Sequence, residues 1–413
     1  MLKSVRLKNF KLHKDTTIEA APITVFIGPN NSGKSSIFQA LLALRQAAAR
    51  ASDVFLVTYQ REETSPDQPF LFDPTEMIDL GEFRDVLRRG QDEILIGLSG
   101  GLGHSRQSGG ESVPEVEFEV IIEDNKLTGH KGKMCVPGAG TLEWGANEPA
   151  LLETDRGMIA FITVKDFRFF DPAGTSRSVP LKPAGLVESL HHISPLRGFE
   201  EWGYPLPLER AQSLVRLSLP DRAVALVTTI ASNSELKREL SDRLSKLMGI
   251  GVDIEYVGSQ KVKIFATEMN GEHRQRLFAN EGTGAQQLPF ILIPVALTPR
   301  NETVLLSEPE AHLHPKGQCE LTRMLLTVAK KENIQFFIET HSEHVLHVIL
   351  NAVGRGDLAK DDVALHYFEN VAGTAQVKRL DINEHGQVDG GLPGFFDQSL
   401  AELTEFLDAL KKT

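Results

Sequence analysis

The sequence predicts an α/β protein in which a strand–loop–helix unit is combined with antiparallel strands and a helical insertion. Near the N terminus, the β-rich run 23–27 leads through a loop of Gly, Asn and Ser into a helix-forming stretch from 35 to about 50. Between 94 and 165, short alternating segments are separated by turns, which is typical of antiparallel strands. After the Gly-rich turn at 281–284, strands and helices alternate again.

Length and composition indicate a globular protein with a sizeable core. The 413 residues suffice for two or three domains, and 41% apolar and 24% charged residues are close to the averages for globular chains. The net charge of −12 argues against a protein that coats nucleic acid or an anionic membrane with its whole surface. We therefore expect any contact with DNA to be local.

Cysteine use and hydropathy predict a cytoplasmic protein. The two cysteines, Cys135 and Cys319, are too few for a disulfide framework, as expected in a reducing compartment. Residues 1–10 lack the continuous apolar stretch of a signal peptide. The longest apolar stretch, 288–298, is far shorter than the roughly 20 residues that cross a bilayer, so no membrane partner is predicted.

The loop after the first buried run predicts a phosphate-binding site. It reads Gly28-Pro29-Asn30-Asn31-Ser32-Gly33-Lys34-Ser35 and fits the pattern G-x-x-x-x-G-K-[ST] between a strand and a helix. Its glycines let successive N–H groups point at phosphate oxygens, Lys34 reaches the β- and γ-phosphates, and Ser35 is a ligand for Mg²⁺. We therefore predict that ATP and Mg²⁺ bind here, through Gly28, Asn30, Asn31, Ser32, Gly33, Lys34, Ser35 and Ser36.

Carboxylates follow the apolar run 303–306, which we expect to neighbour the strand of the phosphate loop. Glu308 is predicted to orient the attacking water as general base. Glu310 is a rival base, because residues 308 and 310 would share a face if the strand continued. A solvated acidic loop is the alternative interpretation.

A second apolar run, 334–338, ends in Glu339-Thr340-His341-Ser342. The carboxyl ends of neighbouring strands in an open α/β sheet meet at the edge where ligands bind. His341 is therefore a candidate sensor of the γ-phosphate, with a purely structural histidine as the alternative.

Three further clusters permit other interpretations. Zinc could bind either Glu310, His312 and His314 or the helical set His341, His344 and His347, although the latter residues spread around a helix. The basic cluster Arg84, Arg88 and Arg89 is either a solvated helix face or a contact for DNA or a protein partner.

Together these motifs resemble the ATPase heads of the RecF, SMC and OLD-like branch of the ABC ATPases. The resemblance rests on the phosphate loop, the run 308–315, the segment 339–342 and the turn Asn280-Glu281-Gly282-Thr283 before a helix. It implies a P-loop NTPase head of two lobes, in which Asn280, Glu281, Gly282 and Thr283 close over the γ-phosphate of a second copy in an ATP-sandwich dimer. The tail segment 391–397 resembles a short C-terminal region of unknown function found on many prokaryotic ATPases of this kind.

The sequence departs from the family pattern at two site positions. Asn280 stands where the signature motif has serine, and its amide can still donate to phosphate. Ser307 stands where an acid usually precedes the catalytic glutamate, so it can contact Mg²⁺ only weakly, through water. We therefore expect slow hydrolysis.

The resemblance also suggests the biological role. We expect a switch ATPase that dimerises on ATP and controls a separate effector, such as a nuclease or toxin, in prokaryotic phage defence, because the tail is too short for the nuclease domain of OLD-like proteins. The alternatives are a DNA-repair or chromosome-maintenance ATPase that binds DNA directly, and a nearly inert nucleotide-binding scaffold.

We divide the chain into four regions. They are lobe I with the phosphate loop and antiparallel strands (1–180), the helical insertion (181–250), lobe II with the signature turn, the Walker B acids Glu308 and Glu310 and the switch histidine His341 (251–370), and the C-terminal tail (371–413). Within lobe I, the Gly-rich segment 97–110 is predicted to form a mobile loop.

Overall fold

The fold is defined by a computed structural model. It describes residues 1–50, 83–101, 115–124, 126–136, 140–145, 151–153, 159–162, 167–170, 176–179, 185–195, 197–199, 201, 204–205, 219–258, 261–268 and 275–392.

Strands dominate the first half of the described chain, and helices are concentrated in the second half. The strands, in chain order, are β1 (Leu2–Phe10), β2 (His13–Glu19), β3 (Ile23–Ile27), β4 (Glu93–Gly101), β5 (Glu115–Glu123), β6 (Lys126–Val136), β7 (Gly140–Gly145), β8 (Leu151–Glu153), β9 (Ile159–Ile162), β10 (Phe167–Phe170), β11 (Ser176–Val179), β12 (Leu190–Ile193), β13 (Tyr204–Pro205), β14 (Ile250–Val257), β15 (Lys261–Glu268), β16 (Gln275–Leu277), β17 (Thr303–Ser307), β18 (Gln335–Glu339), β19 (Val363–Val371) and β20 (Thr374–Leu380). The helices are α1 (Lys34–Arg50), α2 (Phe83–Val86), α3 (Gly185–Glu188), α4 (Leu219–Ser232), α5 (Ser234–Met248), α6 (Thr283–Gln287), α7 (Pro289–Leu297), α8 (Pro315–Glu332) and α9 (Glu343–Gly354).

A six-stranded sheet at the centre of the molecule carries the phosphate loop. Its order is β12-β17-β18-β3-β19-β20, and every neighbouring pair is parallel except β19 and β20. These strands are rich in apolar residues, as expected when both faces of a sheet are covered. Val25, Leu306 and Ile338 pack into the core on one face, together with α4, α5 and α7–α9. Phe26 and Phe337 pack on the opposite face, against α1 and the N-terminal strands.

The remaining strands form three antiparallel sheets. The order β2-β1-β4-β5-β6-β7 builds the N-terminal sheet, β11-β10-β9-β8 builds a smaller one, and β13-β15-β14 with β16 builds the third. The region 181–250, predicted as a helical insertion, contributes α4 and α5 but also β12 of the central sheet. The limits of the four regions stay a prediction.

The predicted mobile loop at 97–110 is wrong for its first part, because β4 extends to Gly101. The glycines permit close packing there. A Cβ on Gly100 would lie 2.4 Å from the carbonyl oxygen of Met1, and one on Gly97 would lie 3.1 Å from Cγ of Glu119. Residues 102–110 of this predicted loop, and residues 393–397 of the tail segment, lie outside the described residues.

Gln335 joins the N-terminal sheet to the central sheet. Its side-chain oxygen accepts from the N–H of Leu2 and the hydroxyl of Thr303, both at 2.8 Å. Its amide nitrogen donates to the carbonyls of Leu2 at 2.8 Å and Ala21 at 3.0 Å. All four hydrogen-bonding positions of this buried amide are therefore satisfied.

We expect Gln335→Ala to lower the free energy of unfolding by at least about 3 kcal/mol, because it leaves several buried polar groups without a partner. Urea denaturation followed by circular dichroism measures the change. Gln376→Ala, at an exposed position on β20, is the matched control and should change little. A Gln335→Ala protein as stable as this control would contradict the assigned role.

Candidate functional site

The phosphate loop connects β3 to α1 with a backbone that favours glycine at two points. Gly28 has a φ of 138°, and a Cβ there would lie 2.1 Å from the carbonyl oxygen of Phe368. Gly33 has a φ of 100°. The motif glycines are thus required by local geometry, and they let the loop curl around the start of α1.

The interior of the loop fits a phosphate group. Lys34 is 3% exposed, and its ammonium donates to the carbonyls of Gly28 at 2.9 Å and Pro29 at 2.7 Å. Burial lowers the pKa of Lys34, and the nearby Glu339 and Glu308 oppose this shift. The hydroxyl of Ser32 is buried without a hydrogen-bond partner in the described part of the chain. A cation and an unsatisfied hydroxyl in one loop are suited to bind an oxyanion.

His13, which sequence reasoning missed, holds the loop from β2. Its Nε2 lies 3.0 Å from the carbonyl oxygen of Gly33, and its Nδ1 lies 3.1 Å from the hydroxyl oxygen of Thr16. Because a carbonyl can only accept, Nε2 carries the proton and Nδ1 accepts from Thr16. Burial lowers the pKa of His13, which favours this neutral form.

The central strands end at one level beside the phosphate loop. In the parallel ladders, Ser307 of β17 pairs with Glu339 of β18, and Glu339 pairs with Phe26 of β3. The expectation that the strand before Glu308 neighbours the loop strand is therefore wrong, because β18 lies between β17 and β3. On the strand that does neighbour β3 on this side, the last residue is Glu339.

Glu339 contacts the predicted magnesium ligand directly. The hydroxyl of Ser35 donates to Oε1 of Glu339 at 2.5 Å. Glu339 is 4% exposed, and burial raises its pKa, while the Ser35 hydrogen bond and the Lys34 ammonium oppose the rise. Sequence reasoning named Glu339 only as part of the segment 339–342 and assigned it no role.

Glu308 lies just beyond β17 in a strained turn. Its φ is +46°, which is uncommon outside glycine, and its N–H donates to the carbonyl of Glu339 at 2.8 Å. Its own carbonyl accepts from the guanidinium of Arg197 at 2.7 Å. The residue is half-buried, and its carboxylate acts electrostatically on Lys34 and His341.

Arg197 is a second residue that sequence reasoning missed. It is 8% exposed and also donates to the carbonyls of Ser194 at 2.7 Å and Ser307 at 3.3 Å. Burial lowers its pKa to about 10, against the opposing effect of Glu310 and Glu308. The buried guanidinium therefore fixes the backbone that carries the predicted base.

Glu310 faces the segment 339–342. It is 8% exposed, and its Oε1 accepts from the hydroxyl of Thr340 at 2.7 Å and the N–H of His341 at 2.9 Å. Burial raises its pKa, while these hydrogen bonds oppose the rise. This geometry favours a role in positioning His341 over the role of a rival base.

His341 is exposed at the same sheet edge. Although much of its surface is exposed, the buried part of the ring and the Lys34 ammonium lower the pKa of His341, and Glu308 opposes this shift. The structure thus brings the phosphate-loop lysine, the predicted base and the predicted sensor into one electrostatic neighbourhood.

Ser307 is buried and turned toward β12. Its hydroxyl oxygen lies 3.3 Å from Nε2 of His192, and its carbonyl accepts from Arg197. Burial, together with Arg222, Arg197 and Arg45, lowers the pKa of His192 to about 3, so this ring is neutral.

The signature turn lies at the start of α6. Asn280, Gly282 and Thr283 are exposed, and Glu281 pairs with Arg276 at 2.7 Å. A Cβ added to Gly282 would meet no atom within 4 Å. No hydrogen bond among the described residues joins this turn to the phosphate loop of the same chain.

The zinc alternatives find no support among the described residues, which contain no group of three or more His, Cys, Asp or Glu side chains that could hold a metal ion. His314 instead caps α8 by accepting from the N–H of Lys316. His344 and His347 are both exposed on α9.

The basic cluster adjoins the loop. Arg88 and Arg89 line an open cavity of about 850 Å³ that also contains the phosphate loop. Arg88 donates to the carbonyl of Leu12 at 3.0 Å and to the hydroxyl of Thr374 at 2.7 Å, whereas Arg84 and Arg89 are exposed. Among the residues described, no helix is long and apolar enough to span a bilayer.

Known families match both ends of the chain. The AAA ATPase domain family matches residues 1–84 and 223–346, together half of the chain. A protein family of unknown function, DUF3696, matches residues 358–406. This second match includes the tail segment that the sequence analysis singled out.

The chain is similar to an OLD nuclease in sequence and to SMC heads in structure. The OLD nuclease of Thermus scotoductus is 25% identical over 360 residues, which are 83% of this chain but only 59% of that protein. An SMC head bound to the C-winged helix domain of ScpA has 14% identity and a TM-score of 0.50, over 93% of this chain and 98% of that one. The SMC head domain from Thermotoga maritima has 14% identity and a TM-score of 0.42, over 92% and 99%.

The predicted α/β head with antiparallel sheets is confirmed by the likeness to the ScpA-bound SMC head. The family matches confirm the suspected relationship at the level of sequence. The chain belongs to the AAA ATPase domain family, and its C-terminal region matches the DUF3696 family.

Proposed function

We propose that this chain is an ATP-hydrolysing switch that pairs with a second copy when ATP is bound and controls a separate effector in prokaryotic phage defence. The observation that carries the proposal is the grouping of Lys34, Glu308 and His341 at the carboxyl edge of the central sheet. A phosphate-loop lysine, a carboxylate and a histidine at one edge are side chains suited to the hydrolysis of a γ-phosphate.

The residues divide the chemistry between them. Lys34 and the backbone N–H groups of the loop hold the β- and γ-phosphates, and Glu308 accepts a proton from the attacking water. His341, positioned through its backbone by Glu310, contacts the γ-phosphate. The Ser35 hydroxyl would be a ligand for Mg²⁺, which neutralises phosphate charge when it is bound.

Pairing in trans is supported by the exposed signature turn. Asn280, Gly282 and Thr283 face solvent, and Gly282 has space around it, as an arriving phosphate would need. We propose that the turn closes over the γ-phosphate in a second copy, so that ATP stabilises the pair and hydrolysis releases it.

We propose that cutting or toxic activity belongs to a separate protein under the control of this chain. The chain is similar in sequence to an OLD nuclease, over 59% of that protein. A cytoplasmic location stays a prediction. Direct DNA binding, as in repair or chromosome maintenance, is the second candidate function, and it is favoured by the exposed Arg89, which lines the cavity at the phosphate loop.

We expect Lys34→Ala to weaken ATP binding at least roughly 100-fold, because the buried ammonium is the cation of the loop and loss of one partner of a buried charged contact costs several kcal/mol. Titration with a fluorescent ATP analogue measures the affinity. Lys378→Ala, on the exposed face of β20, is the matched control. Wild-type affinity in Lys34→Ala would refute the phosphate-loop assignment.

We expect Glu308→Gln to slow ATP hydrolysis by roughly 100-fold or more and to leave ATP binding intact, because it removes the proton acceptor. Glu310→Gln should slow hydrolysis less, because the side-chain amide oxygen of the glutamine can still accept from the Thr340 hydroxyl and the His341 N–H. Steady-state phosphate release distinguishes the two.

In this assay, full activity in Glu308→Gln with loss in Glu310→Gln would reverse the assignment of the base. The same assay with duplex DNA separates the candidate functions. Turnover that rises severalfold with DNA would favour the repair alternative, whereas unchanged turnover would favour control of an effector.

We expect Gly282→Arg to prevent ATP-dependent pairing without unfolding the chain. The φ of Gly282, −61°, suits any residue, and an added Cβ would meet no atom within 4 Å. The long, charged arginine side chain would nevertheless block an approaching second copy. Light scattering with a non-hydrolysable ATP analogue measures the mass. Asn351→Arg, on the exposed face of α9, adds the same charge and should still pair. A Gly282→Arg protein that pairs as the wild type does would exclude the in-trans turn.

A further inference from the structure

Ser307 and Glu339 are equivalent positions on adjacent strands. They are the last residues of β17 and β18, and they pair directly in the parallel ladder. Because side chains alternate along a strand, both residues project to the face of the sheet that also carries Leu305 and Phe337. This face packs against α1, whose first turn contains Ser35.

Glu339 is the closer of the two positions to the phosphate loop. The strand β18 lies directly beside β3, whereas β17 is one strand further away. Neighbouring strands are about 4.8 Å apart, so a carboxylate on β18 reaches Ser35 where a serine on β17 cannot. The 2.5 Å hydrogen bond from Ser35 to Glu339 is the direct evidence of this reach.

The surroundings of Glu339 suit a carboxylate that meets a cation. It is buried and carries no basic partner in an ion pair among the described residues, although the Lys34 ammonium acts on it electrostatically. Mg²⁺ in nucleotide sites is usually bound through one or two carboxylates, together with phosphate oxygens and water, and a phosphate-loop hydroxyl can join them. The hydroxyl and a carboxylate are both present here, at hydrogen-bonding distance.

We propose that Glu339 supplies the carboxylate that holds the Mg²⁺ of bound ATP together with Ser35, in place of the acid that position 307 lacks. This inference rests on the proposed ATP site. Ser307 is then a consequence of the arrangement, because an acid at 307 beside Glu339 would place two carboxylates at neighbouring positions, where like charges destabilise each other. The proposed metal-binding acid thus lies at the end of β18, one strand closer to the phosphate loop than position 307 at the end of β17.

Manganese affinity tests this inference separately from activity. The full chain is saturated with a non-hydrolysable ATP analogue and titrated with Mn²⁺, and free Mn²⁺ is measured by electron paramagnetic resonance. Glu339→Gln should raise the Kd for Mn²⁺ by roughly 10- to 100-fold. It is nearly isosteric and its carbonyl oxygen still accepts from Ser35, so thermal denaturation should show an intact fold.

The matched control is Glu369→Gln, an exposed carboxylate on β19, which should bind Mn²⁺ as the wild type does. Moving the acid back by combining Ser307→Asp with Glu339→Ser should restore at least roughly tenfold of the Mn²⁺ affinity lost in Glu339→Ser alone. A double variant that binds no more tightly than Glu339→Ser would count against the interchange of these two positions.

Nucleotide binding without divalent ions separates this inference from the proposed function. A wild type that binds no ATP analogue would remove the basis of both. A Glu339→Gln protein that binds the analogue, and binds Mn²⁺ with wild-type affinity, would overturn the assignment of Glu339 alone.

Discussion

The parallel register of three central strands is the constraint on which the site depends. Because Ser307, Glu339 and Phe26 are paired across β17, β18 and β3, these strands end at one level, beside the turn that starts the phosphate loop. Both faces of the strands are buried, so a shift of one residue would move apolar side chains to the wrong core and is strongly disfavoured. Core packing therefore fixes the relative heights of the functional groups.

Buried polar contacts then fix the irregular segment after each strand. Arg197 holds the backbone at Ser307 and Glu308, and Glu310 holds the backbone at His341. Such groups are costly to bury unless they are hydrogen-bonded, so each contact specifies one arrangement of the segment. The positive φ of Glu308 persists because its neighbours hold both its N–H and its carbonyl. The groups proposed to meet the γ-phosphate are thus positioned before nucleotide arrives.

Local motifs made much of this site predictable from sequence, whereas long-range pairing hid the rest. The phosphate loop is contiguous in sequence, so it can be recognised from the run Gly28 to Ser35 alone. Glu339 could not be assigned in this way, because its contact with Ser35 joins residues 304 positions apart and depends on strand order. Arg197 meets Glu308 across 111 positions for the same reason. The glycine at position 97 led to a wrong prediction of a mobile loop, because close strand packing and mobility both favour glycine and Gly97 lies within β4.

The most direct test of this account is the position of the metal. A crystal of the Glu308→Gln chain with Mn²⁺ and a non-hydrolysable ATP analogue, measured near the manganese edge, locates the ion by its anomalous signal. We predict a peak beside the β- and γ-phosphates, at bonding distance from Oγ of Ser35 and within about 4.5 Å of a Glu339 carboxylate oxygen, the reach of one metal-bound water. A peak beyond that reach, with Glu339 turned away from the ion, would contradict the account.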